Sequence, residues 1–129
     1  MAGLGDTFML PKPGQDTEHL WVLITHPDPK ICEAIMVNVT TQRPHSDKTT
    51  ILNAGEHPFI RQPSVVFYSD ARTVDTRLLD AAVQRGAYRG HAAFDAAVLG
   101  RIQAGVAVSP FTPRKIKSAY AAYVAAGLI

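Results

Sequence analysis

Directly after a Thr40-Thr41 pair the chain carries Arg43, His45 and Lys48, a short polar and basic stretch. A loop of this kind can contact the phosphates of an RNA backbone, and it can equally be a solvated hairpin turn. His19 stands at the head of an apolar run. Imidazoles as a class suit proton transfer near neutral pH, or phosphate binding when protonated. A strand-edge histidine that only faces solvent is the plainer alternative. His26, His45 and His57 fall on turns or loops, where histidines are commonly surface residues. His26 with Asp28 has no recognisable metal-ligand spacing. Arg114, Lys115 and Lys117 crowd the start of a last helix. Positive charge there opposes the helix dipole, which points either to an offsetting anion or acidic partner or to ordinary solvation.

The other familiar chemical patterns are missing. There is no P-loop, no Gly-rich dinucleotide fingerprint, no nucleophile elbow and no His-Glu helix motif, so no cofactor and no metal are expected. The single cysteine, Cys32, excludes a disulfide framework and a Cys-based zinc site. It sits in an apolar run, so a buried, inert thiol is expected. Trp21, Phe67 and Tyr68 lie in strand-like runs, which makes them core candidates before base-stacking ones. A formal net charge of +2 permits an anionic partner without demanding one. No apolar stretch reaches the length of a bilayer span, and the first residues lack the basic-then-apolar order of a signal peptide. A cytoplasmic location and no membrane partner are the expectation.

These residues need elements to hold them. At 129 residues the chain is expected to form one domain, residues 1–129, with a core that needs no staples. Residues 6–10 read as a first strand stopped by Pro11 and Pro13, and residues 11–18 as a loop. The run HLWVLITH (residues 19–26) is a strand buried on both faces, ended by Pro27-Asp28-Pro29. Residues 31–42 are a third strand, residues 49–52 a fourth, and SVVFY (residues 64–68) a fifth. Then the period changes. Leu78, Leu79, Ala82 and Val83 share a helical face, with Thr73 or Asp75 as cap and Gly86 as stop. Further helices are expected over about 91–105 and 112–126, the last with Thr112 as cap and Pro113 at its first position. The fold class is therefore mainly β with C-terminal helices (α+β), a small barrel or strongly bent antiparallel sheet.

The order of segments resembles the MazF/PemK family of toxin endoribonucleases. Gly5-Asp6 is similar to the family's opening Gly-Asp, and Trp21-Val22-Leu23-Ile24-Thr25 with Pro27 to its second strand. Val37-Asn38-Val39-Thr40-Thr41-Gln42 resembles the apolar strand that ends in Thr-Thr-Gln. The run SVVFYSDARTVD resembles the strand leading into an Asp, a basic residue and a Ser or Thr. The resemblance covers about the first 75 residues. It implies a small SH3-like barrel, a homodimer, and metal-independent cleavage of single-stranded RNA held in check by a cognate antitoxin protein. It implies Thr40, Arg72 and Asp75 as catalytic residues, with His19 where the family has a catalytic arginine; Thr41 and the basic residues Arg43, His45 and Lys48 after it are then the expected RNA contacts. Plainer roles stand beside these: a strand end for Thr40, an ion pair with Asp70 or Asp75 for Arg72, a helix cap for Asp75. The chain departs from the family at His19-Leu20, in place of Arg-Pro. It departs again in the shorter spacing from Asp70 to Arg72, and beyond Asp75, where it turns helical. A non-catalytic barrel that binds protein or nucleic acid is the alternative these departures support.

Overall fold

The computed structural model describes residues 1–11 and 17–129; residues 12–16, within the loop expected over 11–18, lie outside the described residues. Six antiparallel strands form one sheet in the order β4-β5-β3-β2-β1-β6, curled into a half-barrel and accompanied by three helices. The strands are β1 (Thr7–Pro11), β2 (Glu18–Leu23), β3 (Glu33–Thr41), β4 (Ile51–Leu52), β5 (Ser64–Asp75) and β6 (Arg89–His91). The helices are α1 (Thr76–Gln84), α2 (Ala96–Val108) and α3 (Arg114–Ala125). None is long and apolar enough to cross a membrane.

Both faces of the sheet are covered, which explains the unbroken apolar run of β2. Leu20 and Val22 point to one side, where they meet Val37, Val39 and Val66 under Leu99 and Ile102 of α2 and Ile116 and Tyr123 of α3. Trp21 and Leu23 point to the other, with Phe8, Leu10, Met36 and Leu79 of α1. Alternation along a strand sends successive side chains to opposite faces, so each β2 residue serves one of two cores.

Local chemistry sets the helix ends. Asp75 accepts a hydrogen bond from the Arg77 amide at 2.9 Å and starts α1. Gly86, at φ +79°, ends it, since the left-handed backbone there favours glycine. Asp95 caps α2 through the Val98 amide at 2.9 Å.

Several expectations are corrected. The strand expected over 64–68 runs on to Asp75, with residues 68–71 standing opposite the single Val37 where the β3–β5 register shifts. The helix expected from about 91 starts at Ala96, because residues 89–91 pair with β1 instead. Pro113, not Thr112, occupies the cap of α3, and the buried Thr112 hydroxyl has no partner among the described residues. Cys32 is half-buried in a turn at φ +57° rather than inside a strand; its carbonyl receives the Thr76 amide at 2.8 Å. His57, expected at the surface, is buried. Its Nε2 donates to the Ala92 carbonyl at 2.6 Å and its Nδ1 accepts from the Phe59 amide at 3.0 Å.

Candidate functional site

Three rows of side chains cross the α1 face of the sheet. The strand pairing puts Phe8, Trp21, Asn38 and Phe67 in the middle row. Two residues along each strand in one direction come Leu10, His19, Thr40 and Val65; His19 and Thr40 are the next opposed positions beyond the Leu20–Val39 pair. In the other direction come Leu23, Met36 and Arg72. Neighbouring rows are roughly 7 Å apart, the rise of two extended residues.

The first row opens into a cleft of about 500 Å³ between the ends of β2 and β3 and the loop ahead of β5. His19, Thr40, Thr41, Arg43, Arg61 and Gln62 line it. Its far wall is fixed by the backbone: the Gln42 amide donates to the Pro63 carbonyl at 3.0 Å. Gln62 Nε2 adds a 3.3 Å bond to the Thr41 hydroxyl. The basic loop after β3 is tied to the end of α2. Ser109 Oγ donates to Asp47 at 2.6 Å, and the same carboxylate receives the Thr49 amide and hydroxyl. Burial pushes the Asp47 carboxyl up, but the hydrogen bonds from Ser109 and Thr49 outweigh it and hold it below its ordinary value.

A second cavity of about 700 Å³ lies over the middle and third rows, walled by α1. Its floor includes Trp21, Met36 and Phe67, and its α1 side Leu78 and Leu79. Arg72 donates to the Asp70 carboxylate, and its guanidinium carbon sits 5.1 Å from the centre of the Trp21 ring. Asn38 is fully buried between Trp21 and Phe67; its Nδ2 reaches Asp70 Oδ2 at 3.3 Å, and its Oδ1 has no partner among the described residues. Asp75 is held below its ordinary value, first by the Arg77 side chain and then by backbone amides at the start of α1.

The residues singled out from sequence therefore divide. His19, Thr40, Thr41 and Arg43 share one cleft. Arg72 and Asp75 line the other, where each already has an ionic partner. His45 and Lys48 line neither cavity, and Lys48 Nζ folds back onto the Pro44 carbonyl at 2.7 Å. The last helix does not fill either opening, since Ile116 and Tyr123 pack on the opposite face of the sheet. Sequence reasoning missed Arg61, which stood in a stretch read only as loop, and Tyr88, which follows α1; Leu78, expected to share the helical face of Leu79, is instead exposed at the second cavity. The alternation in SVVFY does separate Phe67 from Val66 and Tyr68, and that was the one available signal. Among the described residues no group of three or more His, Cys, Asp or Glu side chains could hold a metal ion. No protein-family model matches the chain, and no curated protein matches it in sequence.

Proposed function

We propose that this protein is a metal-independent endoribonuclease acting on single-stranded RNA, of the MazF/PemK toxin kind, with the His19–Thr40 cleft as its site. In this reading it works as a homodimer of SH3-like barrels in the cytoplasm, under the control of a cognate antitoxin protein. One observation carries the reading: His19, Thr40, Arg43 and Arg61 line the same open cleft. That is the inventory this cleavage needs. A base takes the proton of the 2′-OH as its oxygen bonds to phosphorus, and an acid protonates the 5′-oxygen as the P–O5′ bond breaks. The products are a 2′,3′-cyclic phosphate and a 5′-hydroxyl. Cations and donors offset the charge that builds on the phosphorane oxygens. His19 takes the 2′-OH proton and returns it to the 5′-oxygen as the phosphorane collapses, the Thr40 hydroxyl donates to a non-bridging oxygen, and Arg43 and Arg61 supply the charge. Arg72 is four residues from the Thr40 row, roughly 14 Å along extended strand. It holds a neighbouring phosphate rather than the reacting one.

A second reading has its own support. Asp75 is committed to Arg77 and to the start of α1, and Arg72 to Asp70. Two of the four catalytic positions that the family resemblance implies are thereby engaged elsewhere, which favours a barrel that binds RNA without cutting it.

The test is incubation of a long single-stranded RNA with the protein in excess chelator, beside His19→Ala and Thr40→Ala, with binding measured separately. Cleavage by the parent, lost in both variants while binding persists, supports the nuclease. RNA held but uncut supports the binding module. Neither cleavage nor binding from folded protein rejects both.

A further inference from the structure

The α1-walled cavity is larger than the His19–Thr40 cleft, and the cleavage chemistry at His19 and Thr40 does not use it. We propose that it is a base-binding subsite: it takes the nucleobase of the nucleotide next to the phosphate held at His19 and Thr40. The inference rests on the RNA reading and deepens it.

Four observations support it. The first is chemical. Phe67, partly exposed, gives the cavity an open aromatic face; the buried Trp21 ring lies in the same row under the Arg72 guanidinium, and Tyr88 faces the cavity from beyond α1. Aromatic side chains are the usual platform for unpaired bases. The second is electrostatic. Arg72, Asp70, Asp75 and the exposed Arg85 lie at the same cavity; Arg72 is paired with Asp70, so Arg85 is the cation a base inside would have near its flanking phosphates. The third is spatial. The cavity's middle row is one row from His19 and Thr40, roughly 7 Å, which is one nucleotide step of an extended strand. A backbone running along β2 and β3 would place a phosphate in the first cleft and its base or the next in the second. The fourth is size: about 700 Å³ is ample for a purine, and Leu78 stands 69% exposed at the opening. That exposure has no packing purpose in the chain, and a base seated against it would cover it. The wall belongs to α1, where the sequence leaves the family pattern, so this subsite would be particular to this chain.

Trp21 is the chain's single tryptophan and lines the cavity, so its fluorescence changes when the cavity fills or when Arg72 shifts over its ring. The experiment titrates the full chain with a 2′-deoxy-substituted strand that cannot be cut, then with strands made abasic at each position in turn. It repeats both with Phe67→Ala, which alters a partly exposed side chain and leaves the core intact. The intact strand should change the Trp21 emission. One abasic position should abolish that change and weaken binding roughly tenfold, the usual scale for one stacked base. Phe67→Ala should weaken the intact strand by a similar factor and the matching abasic strand hardly at all. If every abasic strand binds as tightly as the intact one and Trp21 stays silent, the subsite is refuted while the RNA reading stands. If no strand binds folded protein, the RNA reading fails and takes the subsite with it.

Discussion

Replacing Gly105 with alanine should destabilise the fold by about 3 kcal/mol, although alanine is the better helix former by about 1 kcal/mol. Gly105 is buried in α2, directly over the hydroxyl of Tyr68 on β5. A Cβ at this position would lie 1.9 Å from Tyr68 Oη, and 2.5 Å from both Thr50 Oγ1 and Tyr68 Cζ. None of these atoms is the free end of a flexible chain. The Tyr68 hydroxyl donates to the Ile102 carbonyl at 2.7 Å and accepts from Thr50 at 2.7 Å. The alanine must push the ring aside, which costs about 1–3 kcal/mol as overpacking. It must also leave a buried hydroxyl or carbonyl unpaired, about 1–3 kcal/mol more. The gain in helix propensity offsets only part of this. Gly100 in the same helix is the control, since a Cβ there would meet nothing within 4 Å. Gly100→Ala should stabilise by roughly 0.5–1 kcal/mol. Urea unfolding followed by circular dichroism measures both, and the melting temperature of Gly105→Ala should fall by roughly 10 °C. Equal stability of the two variants would refute the close approach of α2 to Tyr68 as the reason for the glycine.

Asp47→Ala should lower stability by about 1–2 kcal/mol, because it removes hydrogen bonds to a charged group from Ser109 and Thr49; urea unfolding checks this, and weaker RNA binding through a loosened Arg43 loop should accompany it. Burial, with a small repulsion from His91, holds the His57 imidazole below its ordinary value of 6.5. The unfolded chain then takes up a proton first, so stability present above pH 6.5 should drain away as pH falls below it. Thermal melts from neutral pH down into the acid range should show this, and His57→Gln should flatten it. Burial raises the Tyr68 phenol to about 12; the unfolded chain ionises first, so stability should fall between pH 10 and about 12, and Tyr68→Phe should remove that slope in alkaline melts. Asn38→Leu should leave stability unchanged or raise it by about 1 kcal/mol, since it removes a buried acceptor with no described partner, while loosening Asp70 and Arg72 enough to weaken oligonucleotide binding.

The parts of the fold legible from sequence are those where a single side-chain period persists. β2 and the first half of β5 are continuous apolar runs, and α1 shows both its cap and its Gly86 stop. The second half of β5 was hidden because Ser69 and Asp70 interrupt the run. Pairing resumes at Arg72 only because the residues between bulge out opposite Val37. β6 carries no pattern at all: Arg89, Gly90 and His91 are all exposed, and the segment is a strand through its pairing with β1. The site divides in the same way. His19 and Thr40 meet through the pairing of two strands that the sequence marks clearly. The cavity beside them depends on where α1 returns to the sheet, a long-range matter that no local spacing encodes. His57 reads as a loop residue because its burial comes from Ala92 and Phe94, far along the chain.

The outermost strands of the sheet are very short: β4 has two residues and β6 three, and the Ile51 carbonyl on the β4 side is already taken by Arg101. These two strands offer too few free amides and carbonyls to template another strand. β4, however, covers β5 only at Ser64 and Val65. Over the rest of its length β5 has β3 on one side and, among the described residues, no strand paired on the other. Two copies of this chain that joined strand to strand would use that stretch of β5, and the bulge opposite Val37 would interrupt the join.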